Sequence, residues 1–180
     1  MKNILTNFMN NKVLCAVYDS DGNIDKFDVG YIIAVDDDVV LMSGICPNGN
    51  NDGYYLKSVN SIYKIEVDSQ YNRKIEVLHS GKDSVVNQII EFEPKDIFRS
   101  TLKLLMRQQE MCSIFLFDSD NSSVIGRIEE FDDSIIKISA YNEYGLYDGT
   151  VYIRKSDVTG MSFKSSEETK ISCLISSKSI

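Results

Sequence analysis

The sequence predicts a mainly β chain: two tandem five-stranded barrels, each preceded by a short helix. Three observations carry that expectation. The chain aligns on itself at a constant offset, each copy holds short apolar or β-branched runs divided by turn residues, and each copy opens with helical apolar spacing. Laying Gly30 on Gly126 gives an alignment without a gap as far as Leu78 on Leu174. Ile32 meets Ile128, Asp36-Asp37 meets Asp132-Asp133, Ser43 meets Ser139, Gly49 meets Gly145, and Asp52-Gly53 meets Asp148-Gly149. Lys74-Ile75 then meets Lys170-Ile171, while upstream the register slips slightly and Cys15 faces Cys112. The units are read as 1–80 and 97–180, joined by a polar linker, 81–96.

Each unit opens on a short amphipathic helix, drawn from Ile4, Leu5, Phe8 and Met9 in one copy and Leu102, Leu104, Leu105 and Met106 in the other. First strands are read at Val13–Tyr18 and Met111–Phe117, each closed by an Asp-rich turn. Second strands follow at Phe27–Val35 and Val124–Phe131, and third strands at Val39–Ser43 and Ile135–Tyr141, across short hairpin turns. The Asp52-Gly53 and Asp148-Gly149 pairs read as turns, because Gly accepts positive φ and Asp tolerates it. Fourth strands are then Tyr54–Val59 and Thr150–Lys155, and fifth strands Ile62–Val67 and Val158–Phe163. Lys74–Leu78 and Lys170–Ile175 read as a short last strand or the end of the fifth. Closing five such strands into a barrel removes exposed edges. In the linker, Val85, Val86, Ile89, Ile90 and Phe92 form an apolar cluster read as pinned to a barrel surface.

Composition excludes some function classes. A formal net charge of -8 repels a polyanion before any local contact is made, which disfavours nucleic acid and anionic membranes as partners. The densest short basic cluster is the pair Arg154-Lys155. No apolar run approaches the roughly 20 residues a membrane-spanning helix needs, and no leader pattern opens the chain, so a cytoplasmic protein is expected. Cys15, Cys46, Cys112 and Cys173 are widely separated, contain no CxxC pair and have only His79 as an imidazole companion. They read as small hydrophobes, and no metal or cofactor is expected.

A helix followed by five strands in this pattern resembles the Sm-like family of SH3-type small barrels. The likeness is carried by Gly30, Ile32, Val35, Asp36, Val39 and Leu41, and by Gly126, Ile128, Phe131, Asp132 and Ile135, with Lys137 departing from the pattern. The resemblance implies the Sm-like fold and, in its usual members, an RNA pocket built from an Asn after the loop Asp and an Arg-Gly pair before the last strand. Here the Asn positions hold Val40 and Ile136, and the Arg-Gly positions hold Ser58-Val59 and Arg154-Lys155. Only Arg154 keeps the family's side chain.

The remaining candidates are weighed on their chemistry. Asp19 to Asp25 alternates oxygen side chains like the start of a calcium loop, but it has Ile24 where Gly is needed and Gly30 where a bidentate Glu is needed. It reads as a polar turn. His79 reads as an exposed turn residue with no nucleophile linked to it. Tyr54, Tyr55, Tyr141, Tyr144, Tyr147 and Tyr152, with Arg154, are the candidate partner-binding residues, because tyrosine is amphipathic and enriched at recognition surfaces. The other reading of those rings is that they cover barrel ends or fill the groove between units. The functional expectation is a non-catalytic interaction or assembly module with a protein partner, including self-association through strand edges. The alternative is an RNA-binding regulator of Sm-like type with an atypical pocket.

Overall fold

The computed structural model describes residues 1–19, 26–80, 96–116 and 123–177. The first half runs α1 (Lys2–Asn11), β1 (Leu14–Asp19), β2 (Phe27–Val35), β3 (Val39–Ile45), β4 (Asn51–Ser58), β5 (Ile62–Val67) and α2 (Gln70–Ser80). The second half runs α3 (Ile97–Gln108), β6 (Met111–Leu116), β7 (Ser123–Phe131), β8 (Ile135–Tyr141), β9 (Tyr147–Arg154), β10 (Val158–Phe163) and α4 (Ser166–Ser177). No described helix is long and apolar enough to cross a membrane. Residues 20–25 and 117–122 of the two Asp-rich turns, and the linker cluster at 85–92, lie outside the described residues.

The ten strands of the described residues form one antiparallel sheet in the order β5-β1-β2-β3-β4-β10-β6-β7-β8-β9. The sheet is not closed, so two separate barrels are not seen. The reason is local. β4 pairs with β10, with Leu56 opposite Met161 and Tyr54 opposite Phe163, so each half satisfies the other's backbone edge. Within each half the neighbours run fifth, first, second, third, fourth. The registers also correspond: Cys15 faces Gly30 and Cys112 faces Gly126. Both second-to-third strand pairings are interrupted at matching places, between Ile32 and Ala34 and between Ile128 and Glu130.

Helices cover the sheet for reasons legible in their sequences. α1 buries Leu5 and ends at Lys12 in a left-handed conformation, while α3 is capped by the Asp96 carboxylate on Arg99 N–H and ends at left-handed Gln109. β1 is buried on both faces. Cys15 and Val17 pack with Leu5, Val40 and Met42 on one side, and Leu14, Ala16 and Tyr18 pack with Ile75 of α2 on the other.

α2 and α4 correct the sequence reading of 74–78 and 170–175 as strand. The Ser69 hydroxyl accepts from Asn72 N–H at 3.1 Å, and Ser165 forms a reciprocal cap in which its N–H donates to Glu168 at 2.8 Å. Those caps start helices whose buried stripes are Asn72 and Ile75, and Glu168 and Ile171. The Asp52-Gly53 and Asp148-Gly149 pairs sit within β4 and β9, not in the preceding turns. The turns close earlier, at positive-φ Gly49 and Gly145, each donating its N–H back to Cys46 and Asn142 carbonyls respectively.

Candidate interaction edges

The structure divides the tyrosines that the sequence grouped together. Tyr54 stacks on Phe163 of β10 at 4.9 Å between ring centres, so it belongs to the junction of the two halves. Tyr55 packs against the first-half core and donates its hydroxyl to Asp52 at 2.8 Å. Burial, and that carboxylate, push its phenol well above the ordinary range. Neither ring is free for a partner. Tyr141 packs edge-on against Tyr147, under the guanidinium of Arg127. Tyr144, Tyr147 and Tyr152 are largely exposed on β9 and the turn that leads into it, with Leu146 beside them. Arg154 ends the same strand, its side chain exposed and 3.5 Å from Asp157.

The candidate surface is therefore an outer strand. β9 is one end of the sheet and β5 is the other, where Tyr63 and Val67 are exposed. At the junction, by contrast, the first half reaches across with apolar side chains and with carboxylates. Leu41 and Leu56 enter a core made mostly of second-half residues, including Ile114, Ile138, Met161 and Phe163. The Asp36 carboxylate accepts from Ile97 N–H at 2.8 Å, and the Asp52 carboxylate from Ser166 N–H at 3.1 Å, so first-half acids hold the starts of both second-half helices.

Other groups with chemical potential are accounted for by packing. The Cys15 thiol is buried, donates to Gly30 O and is pushed up to about 12, and burial raises Cys112 as well. Thiols so disfavoured as thiolates are poor nucleophiles. His79 is not in an exposed turn: it ends α2, with Nδ1 3.0 Å from Gly49 O and the ring facing Tyr31. Val40 and Ile136, which stand where Sm-type proteins carry a base-binding Asn, are fully buried. Among the described residues no group of His, Cys, Asp and Glu is arranged to hold a metal ion.

Sequence reasoning missed two buried polar clusters. Lys57 on β4 is paired with Asp19 of β1 and lies 2.7 Å from Asp28 of β2, which shows the first half of the sheet curling back on itself. Desolvation opposes the Lys57 charge, but Asp28 and Asp19 outweigh it and hold its pKa above the usual lysine value. In the second half, Glu168 of α4 is buried and accepts from the Ser113 hydroxyl at 2.5 Å and the Ser162 hydroxyl at 2.7 Å. The Ser165-to-Glu168 spacing was the available signal for the second cluster; for the first there was none, because its residues come from three strands. No protein-family model matches the chain, and no curated protein matches it.

Proposed function

We propose that the chain is a non-catalytic interaction and assembly module, a duplicated Sm-like unit that holds protein partners through its strand edges. The observation that carries this reading is the β4–β10 junction: the fold already uses an edge strand, an aromatic stack and helix-capping acids to bind one half to the other. Strand order and register agree between halves, in keeping with one unit used twice. At the outer end the same kind of surface is presented with Tyr147 and Tyr152 exposed. A strand edge gives affinity through its backbone, and the exposed rings add contact area at low entropic cost.

RNA recognition has less support. The base-binding positions are buried aliphatics, Arg154 is engaged by Asp157, and the net charge is -8. Fluorescence anisotropy with uridine-rich and adenine-rich single strands at about 150 mM salt tests the choice. No submicromolar binding is expected, and affinity abolished by Arg154→Ala would overturn the proposal. In capture from native extract, partner retention should survive RNase and fall with a Tyr147→Ser, Tyr152→Ser double variant.

A further inference from the structure

β7, β8 and β9 set Arg127, Ser139 and Thr150 directly opposite one another, in one row on one face of the sheet. Tyr141 and Tyr147 are partners in a neighbouring row, and Arg127 Cζ lies 5.9 Å from the centre of the Tyr141 ring. In the first half the residues matching Arg127, Tyr141 and Tyr147 are Tyr31, Ile45 and Asn51. There Tyr31 meets the His79 ring, and Tyr31 and Ile45 belong to the apolar cluster that includes Ile75 of α2. The second half has therefore exchanged an apolar contact for a cation set over tyrosine.

That cation has no counter-charge among the described residues. Arg127 is half-buried, its Nε is buried without a hydrogen-bond partner, and no described carboxylate pairs with its guanidinium. The acids close to it are committed elsewhere. Glu129, two residues along β7, takes the Ser139 hydroxyl and Lys137, while Glu110, which precedes the register partner Met111, lies 3.8 Å from Lys164. With 27 acidic residues to 19 basic ones, the chain does not lack carboxylates, yet none is spent here. A buried donor left unmet is a cost to the fold and points to a group supplied from outside. Tyr144, Leu146 and Tyr147 form an exposed rim beside it, joined by exposed Leu174 of α4, since a Cβ at Gly145 would come within 2.9 Å of Leu174 Cβ.

We propose that this face holds a protein partner through a single carboxylate, an Asp or Glu side chain that pairs with Arg127 while its apolar neighbours lie on Tyr144, Leu146 and Tyr147. The inference rests on the interaction-module reading and names the chemistry of the partner. Of the guanidinium nitrogens only Nε is both buried and unpaired, so the terminal nitrogens remain to form a fork on a carboxylate. One cation suits a monoanion. A phosphate dianion would keep an uncompensated charge, and a polyacidic segment would meet Glu143, Asp148 and the field of a chain at -8. The partner's acid is therefore solitary, with apolar residues on either side. Tyr147 and Thr150 share a hydrogen bond at 2.9 Å, which uses one of their two hydroxyl protons and leaves the other to donate to the partner.

The test is selection of displayed random heptapeptides at about 150 mM salt on wild type, Arg127→Met and Arg107→Met, the last a control at an exposed position of α3. Wild type and control should enrich peptides with one acid between apolar residues, and Arg127→Met should show no preference for the acid. In fluorescence anisotropy, changing the acid of the strongest peptide to its amide should weaken binding to wild type by about tenfold or more and leave binding to Arg127→Met unchanged. Because Arg127 has no acid of its own, Arg127→Met should melt at or above the wild-type midpoint, which an arginine kept for stability would not allow. Enrichment indifferent to acids, an equal loss with the amide on Arg127→Met, or a lowered midpoint of that variant would overturn the proposal. Tighter binding of a phosphoserine peptide than of the acidic one would overturn it in favour of phosphate. No enrichment on wild type, with partner capture still lost in the Tyr147→Ser, Tyr152→Ser variant, would overturn it and leave the interaction-module reading intact.

Discussion

The two halves place opposite chemistry at the same three strand positions. In the first half these positions are Asp19, Asp28 and Lys57, a nearly buried ion cluster. In the second half the matching positions are Leu116, Val124 and Ile153, which pack into or against the apolar core. One backbone arrangement therefore accepts either solution. A buried ion pair recovers in Coulomb attraction and hydrogen bonding roughly what desolvation costs, so it is weak evidence of stability, yet breaking it leaves an uncompensated charge. The comparison teaches that the fold depends on matched partners at this site and not on charge.

The largest expected effect follows from that. Lys57→Ala should destabilise the protein by about 3 to 5 kcal/mol, because it strands two carboxylates in the interior. Transplanting the second-half set, Asp19→Leu with Asp28→Val and Lys57→Ile, should be neutral or stabilising despite three changes. Urea denaturation of the two variants decides between these outcomes, and a triple variant as unstable as the single would break the equivalence. The same pair of proteins sharpens the point with pH. Lys57 has a folded pKa above its unfolded value, so its contribution is fully present below about pH 10.4 and is lost as pH rises through the folded value. Relative to wild type, the triple variant should lose less stability on alkaline titration.

Gly30 and Gly126 should respond alike, since a Cβ at either would meet the carbonyl oxygen of Ser43 or Ser139 at 2.1 and 2.2 Å. Valine at each should cost about 3 kcal/mol, the upper range for a single substitution. A midpoint shift in only one of them would argue against a shared unit. Smaller effects separate junction from free end. Gly149→Ala carries only the strain of its positive φ, of order 1 kcal/mol, while Gly53→Ala adds a collision with second-half backbone and should cost more.

The strands were legible because their periodicity is strong and their turns are punctuated by Asp and Gly. Phe27–Val35, Ile62–Val67, Ile135–Tyr141 and Val158–Phe163 have the limits read from sequence. α2 and α4 were not, because each presents a narrow buried stripe, and a short run such as Ile75 to Leu78 resembles a strand unless the Ser69 and Ser165 caps are weighed first. The junction was also hidden. Repeat matching places Tyr54 and Tyr55 alongside Thr150 and Val151, but it cannot say which copy of an edge is covered; that is settled by packing between residues about a hundred positions apart. Of the grouped tyrosines, only those near β9 remained at a surface.

Hydrogen exchange followed by mass spectrometry tests the junction most directly, because it reads covered and open edges in one experiment. Amides of β4 and β10 should be strongly protected, as interior strands. The amides of β5 and β9 that face away from β1 and β8 should exchange rapidly, while those directed at these neighbours are protected. Rapid exchange in β4 and β10, or outward-facing amides of β5 and β9 as protected as those of β4 and β10, would contradict it.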